Sequence, residues 1–397
     1  MSAITPPGSV RQVLTALQAR GHLAYLVGGC VRDMLLGVAP HDWDICTSAR
    51  PKEVLAIFPH AEPTGLRHGT VTVWQGKRAV EVTTFRSEGS YSDHRHPDAV
   101  SFVGDLHTDL SRRDFTMNAI ALPPDGLLVD PFGGVDDIRS RLIRCVGEPE
   151  RRFEEDALRM FRALRFAARL DFTVEPQTLA AIFKLAPLAG TLACERVRDE
   201  VEKLLLSPHP ELLGTLLSAG LLDRYLLARP EDGSLFGCIA LLPRKALPRW
   251  CAAAVILKEA GCIASVPDFL GSLRLDNRSI RCSADAAELL AKGAAKTAVE
   301  WKRQLKDRGV EPVRCAAKVR DALYGGRSDR ALAAVLKSGE CFSMKHLAVS
   351  GDDLLALGLR GREVGDMLNF LLDYVITFPA YNTREVLLNL ANQVNDD

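Results

Sequence analysis

The stretch Leu26–Ser48, LVGGCVRDMLLGVAPHDWDICTS, decides how the N-terminal third of this chain is read. An apolar run stops at Gly28-Gly29. A helix-like segment, VRDML, follows, and DWDICTS closes the stretch with β-prone residues. The order is strand, glycine turn, helix, strand. Side chains alternate across a strand, so Asp42 and Asp44, on either side of Trp43, are expected on one face. Two carboxylates held that close repel unless a cation lies between them, and a divalent ion such as Mg²⁺ removes the repulsion. Glu81, mid-strand in AVEVTTF, supplies a third carboxylate where a charge is costly without a partner. On these residues alone a second reading stays open, a solvated strand end in which Asp42 caps a turn and Glu81 faces water. The glycine turn is open in the same way. Backbone N–H groups at Gly28-Gly29 can approach a phosphate, with Arg32 adding charge, or the glycines simply turn the chain. Neither a GxxxxGK[ST] loop nor a Rossmann fingerprint is present.

The rest of the chain sets the frame. Its 397 residues exceed what one hydrophobic core serves, so two or more domains are expected. Fifty basic residues balance fifty acidic ones, so a nucleic-acid partner would be held by local patches and not by net charge. The ten cysteines form no CxxC and no zinc spacing with histidines, which reads as free thiols. MSAITPPGSVRQVL lacks the apolar core of a signal peptide, and no apolar run is long enough to cross a bilayer. The expectation is a soluble, cytoplasmic protein with no membrane partner. Val10 to Arg20 reads as a helix, Leu23 to Val27 as a strand, and Gly69 to Phe85 as a hairpin around Gln75-Gly76-Lys77. From about residue 145 the spacing becomes helical.

Three further motifs follow. RRDFTMNAIA (Arg112 to Ala121) reads as a helix start crowded with polar groups. DPFGG (Asp130 to Gly134) is a sharp turn. RRFEEDALRMFRALRFAARL (Arg151 to Leu170) reads as one helix from Phe153, with Asp156, Arg159, Arg162 and Arg165 at steps of three. Each step rotates about 60°, so Asp156 and Arg159 are neighbours while Arg165 winds to the far side. Acidic residues first and basic ones later also suit the helix dipole without any function.

Taken together, GGCVRD, DWD, VEVTTFR, RRDFTMNA, DPFGG and EEDALRMFRALRF resemble the class II tRNA nucleotidyltransferases. That family adds the CCA end to tRNA, and bacterial poly(A) polymerases are its close relatives. The resemblance is dense over residues 24 to 170 and returns in GLRGREVGDMLNFLLDYVI (Gly358 to Ile376). It implies an α+β fold: a nucleotidyltransferase head with a mixed sheet and helices over residues 1–140, then an all-α neck (141–200), body (201–300) and tail (301–397). It implies an enzyme that uses CTP, ATP, tRNA and Mg²⁺. Asp42 and Asp44 match the metal-binding aspartates and Glu81 the third catalytic carboxylate. Gly29, Arg32, Arg113, Asp114, Asn118, Arg162 and Arg165 match nucleotide-binding positions. Asp156 and Arg159 match the pair that reads the base. Such a pair makes chemical sense: cytosine and adenine each place an amino donor beside a ring-nitrogen acceptor, which suits a carboxylate next to a guanidinium. Uracil and guanine set a carbonyl oxygen against the carboxylate instead.

Within the family, the polar loop Arg86 to Leu106 favours a CCA-adding or A-adding enzyme over a CC-adding one. The A-adding type and the poly(A) polymerase remain the alternatives, and a non-catalytic RNA-binding relative is the rival from another class. Asp93, His94 and His96 in that loop read as either a metal site or a polar surface. No His-Asp pair supports a phosphohydrolase domain. Lys245 to Arg249, Lys302 to Arg308 and Arg314 to Arg320 are candidate phosphate contacts. The sequence does not give the oligomeric state.

Overall fold

The computed structural model describes residues 5–89 and 100–396. The chain forms two compact units, Met1–Arg224 and Tyr225–Asp397. The first holds the segments expected as head and neck together with residues 201–224.

The first unit is built on a six-stranded mixed sheet of order β3-β4-β5-β2-β1-β8. Its strands are β1 (Ala24–Val27), β2 (Asp44–Thr47), β3 (Ala61–Gly65), β4 (Thr70–Gln75), β5 (Arg78–Thr84) and β8 (Ala121–Leu122). The hairpin read from alternating β-branched residues is β4 and β5, paired from Thr70↔Thr83 to Gln75↔Arg78. β2 and β5 run parallel, with Asp44 opposite Glu81. Val27, Cys46 and Ala121 of the sheet pack with Phe85, Leu110, Ala119 and Val146 in one buried cluster. Helices α1 (Gly8–Ala19), α2 (Gly29–Leu35) and α3 (Pro51–Ile57) flank the sheet. A small ribbon, β6 (Arg86–Glu88) with β7 (Val100–Phe102), precedes α4 (Leu106–Ser111). The loop motif Asp93, His94 and His96 lies outside the described residues.

Two expectations change here. The RRD segment does not start a helix: α4 ends before it, and only a 3₁₀ turn, Thr116–Asn118, interrupts an otherwise irregular run. The polar side chains of this segment bind each other and distant arginines, which competes with helical backbone bonding. Nor is 153–170 one helix. It is α6 (Pro149–Glu155) and α7 (Leu158–Leu170), separated at Asp156, whose backbone is extended at φ −143° and ψ 103°. Asp156 Oδ1 accepts from Leu158 N at 3.1 Å, so the aspartate starts a new helix instead of continuing the old one.

The turn at DPFGG is explained by close packing. α5 (Gly134–Arg139) begins with its first two N–H groups on the Asp130 carboxylate, at 2.8 Å each. A Cβ on Gly134 would lie 2.2 Å from the Thr116 carbonyl oxygen. Gly134→Ala should therefore push α5 off the Thr116 turn. A loss of about 2–4 kcal/mol in denaturant unfolding is expected, at or above the usual range for overpacking; a wild-type midpoint would remove this account of the glycine. β9 (Leu142–Ile143) pairs with β10 (Thr173–Val174), and α8 (Pro176–Leu185), α9 (Cys194–Leu205) and α10 (Leu213–Ser218) complete the unit.

The second unit is helical: α11 (Ala246–Glu259), α12 (Val266–Ser272), α13 (Asn277–Ala291), α14 (Ala298–Arg308), α15 (Val310–Tyr324), α16 (Ser328–Lys337), α17 (Gly351–Ala356), α18 (Arg362–Thr377) and α19 (Arg384–Asp396). Leu354, Leu371, Leu372, Val375, Ile376 and Leu387 centre a core shared by α17, α18 and α19. Several cations of the expected phosphate-binding stretches are engaged inside this unit. Arg249 donates to the carbonyls of Leu242 and Pro243, and Arg320 to those of Leu289 and Leu290. Lys302 binds Glu340, Lys306 binds Asp373, and Arg308 binds Asp285 and Glu288. All ten cysteines are free. Among the described residues no helix is long and apolar enough to cross a membrane.

Candidate active site

The parallel pairing of β2 with β5 places Asp44 and Glu81 side by side on one face of the sheet. Glu81 N donates to the Trp43 carbonyl at 3.0 Å, which locks this register. Burial pushes the Asp44 carboxyl up to about 6, with repulsion from Glu81 and Asp42 adding to the rise and Arg113 opposing it. Asp42 differs from expectation. It lies in the bend before β2, its side chain 86% exposed and 3.1 Å from His41 Nδ1. The structure thus brings Asp44 and Glu81 together and leaves Asp42 at the edge, reached from an exposed turn behind Pro40. Among the described residues no three His, Cys, Asp or Glu side chains are close enough to enclose a metal ion. The donor chemistry nonetheless fits a hard divalent cation: every candidate ligand is a carboxylate oxygen, and Asp44 and Glu81 repel each other without a shared counter-ion.

The glycine turn faces this pair. Gly28 sits at φ 75°, and a Cβ there would lie 3.5 Å from Asp44 Oδ2 and 3.2 Å from Arg113 Nη1. Only glycine lets the turn, the carboxylate and the guanidinium approach so closely. Gly29 opens α2, and Arg32 on that helix is buried. Its guanidinium binds Asp33 at 2.7 and 2.9 Å and Asn118 Oδ1 at 2.8 Å, and stacks 5.0 Å from the Phe166 ring centre. Phe166 also meets Arg162 at 5.3 Å and Arg165 at 3.9 Å. One ring is therefore shared by three guanidinium groups from α2 and α7.

The RRD segment joins these parts. Asp114 accepts from Phe115 N at 2.8 Å and Asn118 Nδ2 at 3.0 Å on one oxygen, and from Arg162 Nε at 2.9 Å on the other. Burial pushes the Asp114 carboxyl up, but Arg162 and Asn118 outweigh it and hold it well below the usual carboxylate range. Arg113 gives Nη2 to Asp109 at 3.1 Å, while its buried Nε has no partner among the described residues. A buried guanidinium with an unused donor beside two carboxylates is poised for an anionic ligand. The two expected base-reading residues are joined through the backbone, Arg159 N donating to the Asp156 carbonyl at 3.0 Å, and their side chains are engaged by other groups. Arg159 is held by Glu155 Oε2 at 2.7 Å and by the carbonyls of Arg152 and Arg112, each at 3.0 Å. Asp156 is held by Arg196 of α9. Arg165, stacked on Phe166 beside Arg162 and Arg32, forms a buried ion pair with Glu200.

Sequence reasoning missed four of these residues: Asp109, Glu155, Arg196 and Asp33. Asp109 carried a signal, since it stands three and four residues before Arg112 and Arg113, the spacing of helical ion pairs. Arg196 carried none, because its partner is 40 residues away.

Comparison with known proteins bears on this geometry. Residues 24–144 match the poly A polymerase head domain, and residues 171–231 match a probable RNA- and SrmB-binding site of polymerase A. The CCA-adding enzyme of Limosilactobacillus fermentum is 38% identical over 391 residues, covering 97% of this chain and 96% of that protein. The chain belongs to the CCA-adding enzyme family. The CCA-adding enzyme of Lactiplantibacillus plantarum is 36% identical over 98% of the chain. The crystal structure of the Bacillus stearothermophilus CCA-adding enzyme in complex with CTP superposes with a TM-score of 0.84 at 35% identity, covering 99% of this chain and 98% of that one. The chain is thus a nucleotidyltransferase of the class II kind. The family's mixed-sheet head followed by helices is the architecture seen here.

Proposed function

We propose that this CCA-adding enzyme builds the 3′-terminal CCA of tRNA from CTP and ATP without a nucleic-acid template, releasing pyrophosphate at each step. The observation that carries the reading is the in-register carboxylate pair Asp44–Glu81 facing the Gly28 turn and Arg113. Asp42 and Asp44 would hold Mg²⁺, with Glu81 beside them. When bound, two such ions lower the pKa of the attacking 3′-hydroxyl and neutralise the triphosphate and departing pyrophosphate. The protein's own residues do the rest. The backbone at Gly28 and Gly29 leaves room for a phosphate. Arg113, Arg32, Arg162 and Arg165 give the pocket a positive wall, with Arg32 and Arg162 set in place by Asn118 and Asp114. Asp156 accepts from the amino group of cytosine or adenine and Arg159 donates to the ring nitrogen, so UTP and GTP are refused by unpaired acceptors.

The test is a pair of tRNA substrates, one ending before CCA and one ending after CC, incubated with Mg²⁺ and labelled CTP, ATP, UTP or GTP. Three added nucleotides on the first and one on the second are expected, with UTP and GTP inert. Extension only of the tRNA that ends in CC would make the enzyme A-adding, and long A runs would make it a poly(A) polymerase. No incorporation from either substrate would leave an RNA-binding protein. Replacing the Asp156–Arg159 pair by residues with another donor pattern should admit UTP or GTP roughly 10²-fold better relative to CTP. Unaltered selectivity would mean that another part of the site reads the base.

A further inference from the structure

The geometry points to Arg196 as the residue that sets the direction of the Asp156 carboxylate and so governs which bases the site admits. This rests on the reading of Asp156 as part of the base-reading pair. Asp156 occupies the break between α6 and α7, where its backbone is extended while its N–H still donates to the Arg152 carbonyl at 3.3 Å. Among the described residues, two groups aim its side chain. Leu158 N donates to Oδ1 at 3.1 Å, and Arg196 Nη2 lies 3.1 Å from Oδ2 and 3.4 Å from Oδ1. Between them these donors leave Oδ2 with an open acceptor direction, the one an amino group would use.

A purely structural ion pair between the α6–α7 break and α9 would give the same distances, but two observations argue for more. First, α7 and α9 are already tied by Arg165 and Glu200, a more deeply buried pair. The side chains of Arg196 and Asp156 stay 25% and 19% exposed, open to a ligand. Second, Arg196 Nη1 is buried with no hydrogen-bond partner among the described residues. An arginine kept only as a strut would be expected to use that donor, because a buried N–H left unmade is costly. A spare donor beside the base-reading carboxylate suits a planar ligand carrying both donors and acceptors, such as a nucleobase. Arg196 is thus a positioning residue acting through Asp156.

The experiment measures incorporation of CTP, ATP, UTP and GTP onto tRNA lacking its end, for wild type, Arg196→Ala, Arg196→Lys and Asp156→Ala, with thermal unfolding of each. For Arg196→Ala, UTP or GTP relative to CTP should rise about tenfold while the unfolding midpoint stays near wild type, because a freed carboxylate no longer holds one acceptor direction. Arg196→Lys should fall between, since an ammonium keeps the charge but not the planar fork. If Asp156→Ala relaxes selectivity and Arg196→Ala does not, Arg196 is a strut and this inference is overturned alone. If Asp156→Ala also keeps full selectivity, the base-reading pair itself is wrong. Should Arg196→Ala fail to fold, Arg196→Lys decides by the same ratio, and a wild-type ratio there overturns the inference.

Discussion

Asp44→Asn loses nucleotide incorporation by about 10³-fold or more and, without metal, unfolds at a higher temperature than wild type. The two halves come from one cause. Asp44 is drawn out of water at the edge of β2, opposite Glu81, and its carboxyl is pushed up to about 6 from an ordinary value near 3.8. A carboxyl raised on folding destabilises the native state whenever it is ionised. Below about pH 4 it is protonated in both states and costs nothing. Between about pH 4 and 6 the penalty grows, and above about pH 6 it is complete, roughly 1–3 kcal/mol. Asp44→Asn removes the charge, so its advantage should be present at pH 7 and absent at pH 4. On the proposed function Mg²⁺ would supply the missing counter-charge in wild type, so it should raise the wild-type midpoint and leave that of Asp44→Asn nearly still. Residues kept for activity at the expense of stability behave in this way. A less stable Asp44→Asn, or one that still turns over, would show that the carboxylate supports the fold and not the chemistry.

How far the sequence reached follows from which partners are local. The hairpin around Gly76, the strand before Gly28 and the apolar stripe of α7 were legible, because their determinants sit within a few residues. So was the pairing of Asp44 with Glu81 as candidates, since both are charges in β-prone runs. What the sequence could not show is the register that sets residue 44 against residue 81, because the parallel strands are joined through β3 and β4. The same limit hid the break at Asp156. Periodicity carries apolar spacing smoothly through EEDALR, while in the structure the Asp156 carboxylate takes Leu158 N on one oxygen and the distant Arg196 on the other at an extended backbone position. Arg165 shows the limit again. Helical arithmetic turned it away from the other arginines, yet its guanidinium shares the Phe166 ring with those of Arg32 and Arg162 while it pairs with Glu200. The six ordered motifs all lie in the first unit.

The second large effect lies at Asp109, whose substitution by alanine should cost about 3–5 kcal/mol in unfolding and weaken triphosphate binding together. Asp109 is fully buried. One oxygen takes Arg112 at 2.7 and 3.1 Å and Arg86 N at 3.3 Å, and the other takes Arg113 Nη2 at 3.1 Å. Removing it leaves two guanidinium groups in a poor solvent for charge, which is why one member of a buried pair costs more to delete than the pair contributes. Arg113 would lose its tether next to Gly28 and Asp44, so the KM for CTP should rise in whatever protein stays folded. Acid gives the sign. Burial pushes the Asp109 carboxyl up, but Arg113 and Arg112 outweigh it and hold it below its ordinary value. Its contribution is therefore present above about pH 4 and is lost as pH falls through the lower folded value. The gap between wild type and Asp109→Ala should be wide at pH 7 and close on acidification, opposite in direction to the gap for Asp44→Asn. Two aspartates of one site would then move stability in opposite senses, one braced by arginines and one left waiting for a cation. A wild-type midpoint for Asp109→Ala, with activity gone, would instead move Asp109 out of the frame and into the chemistry.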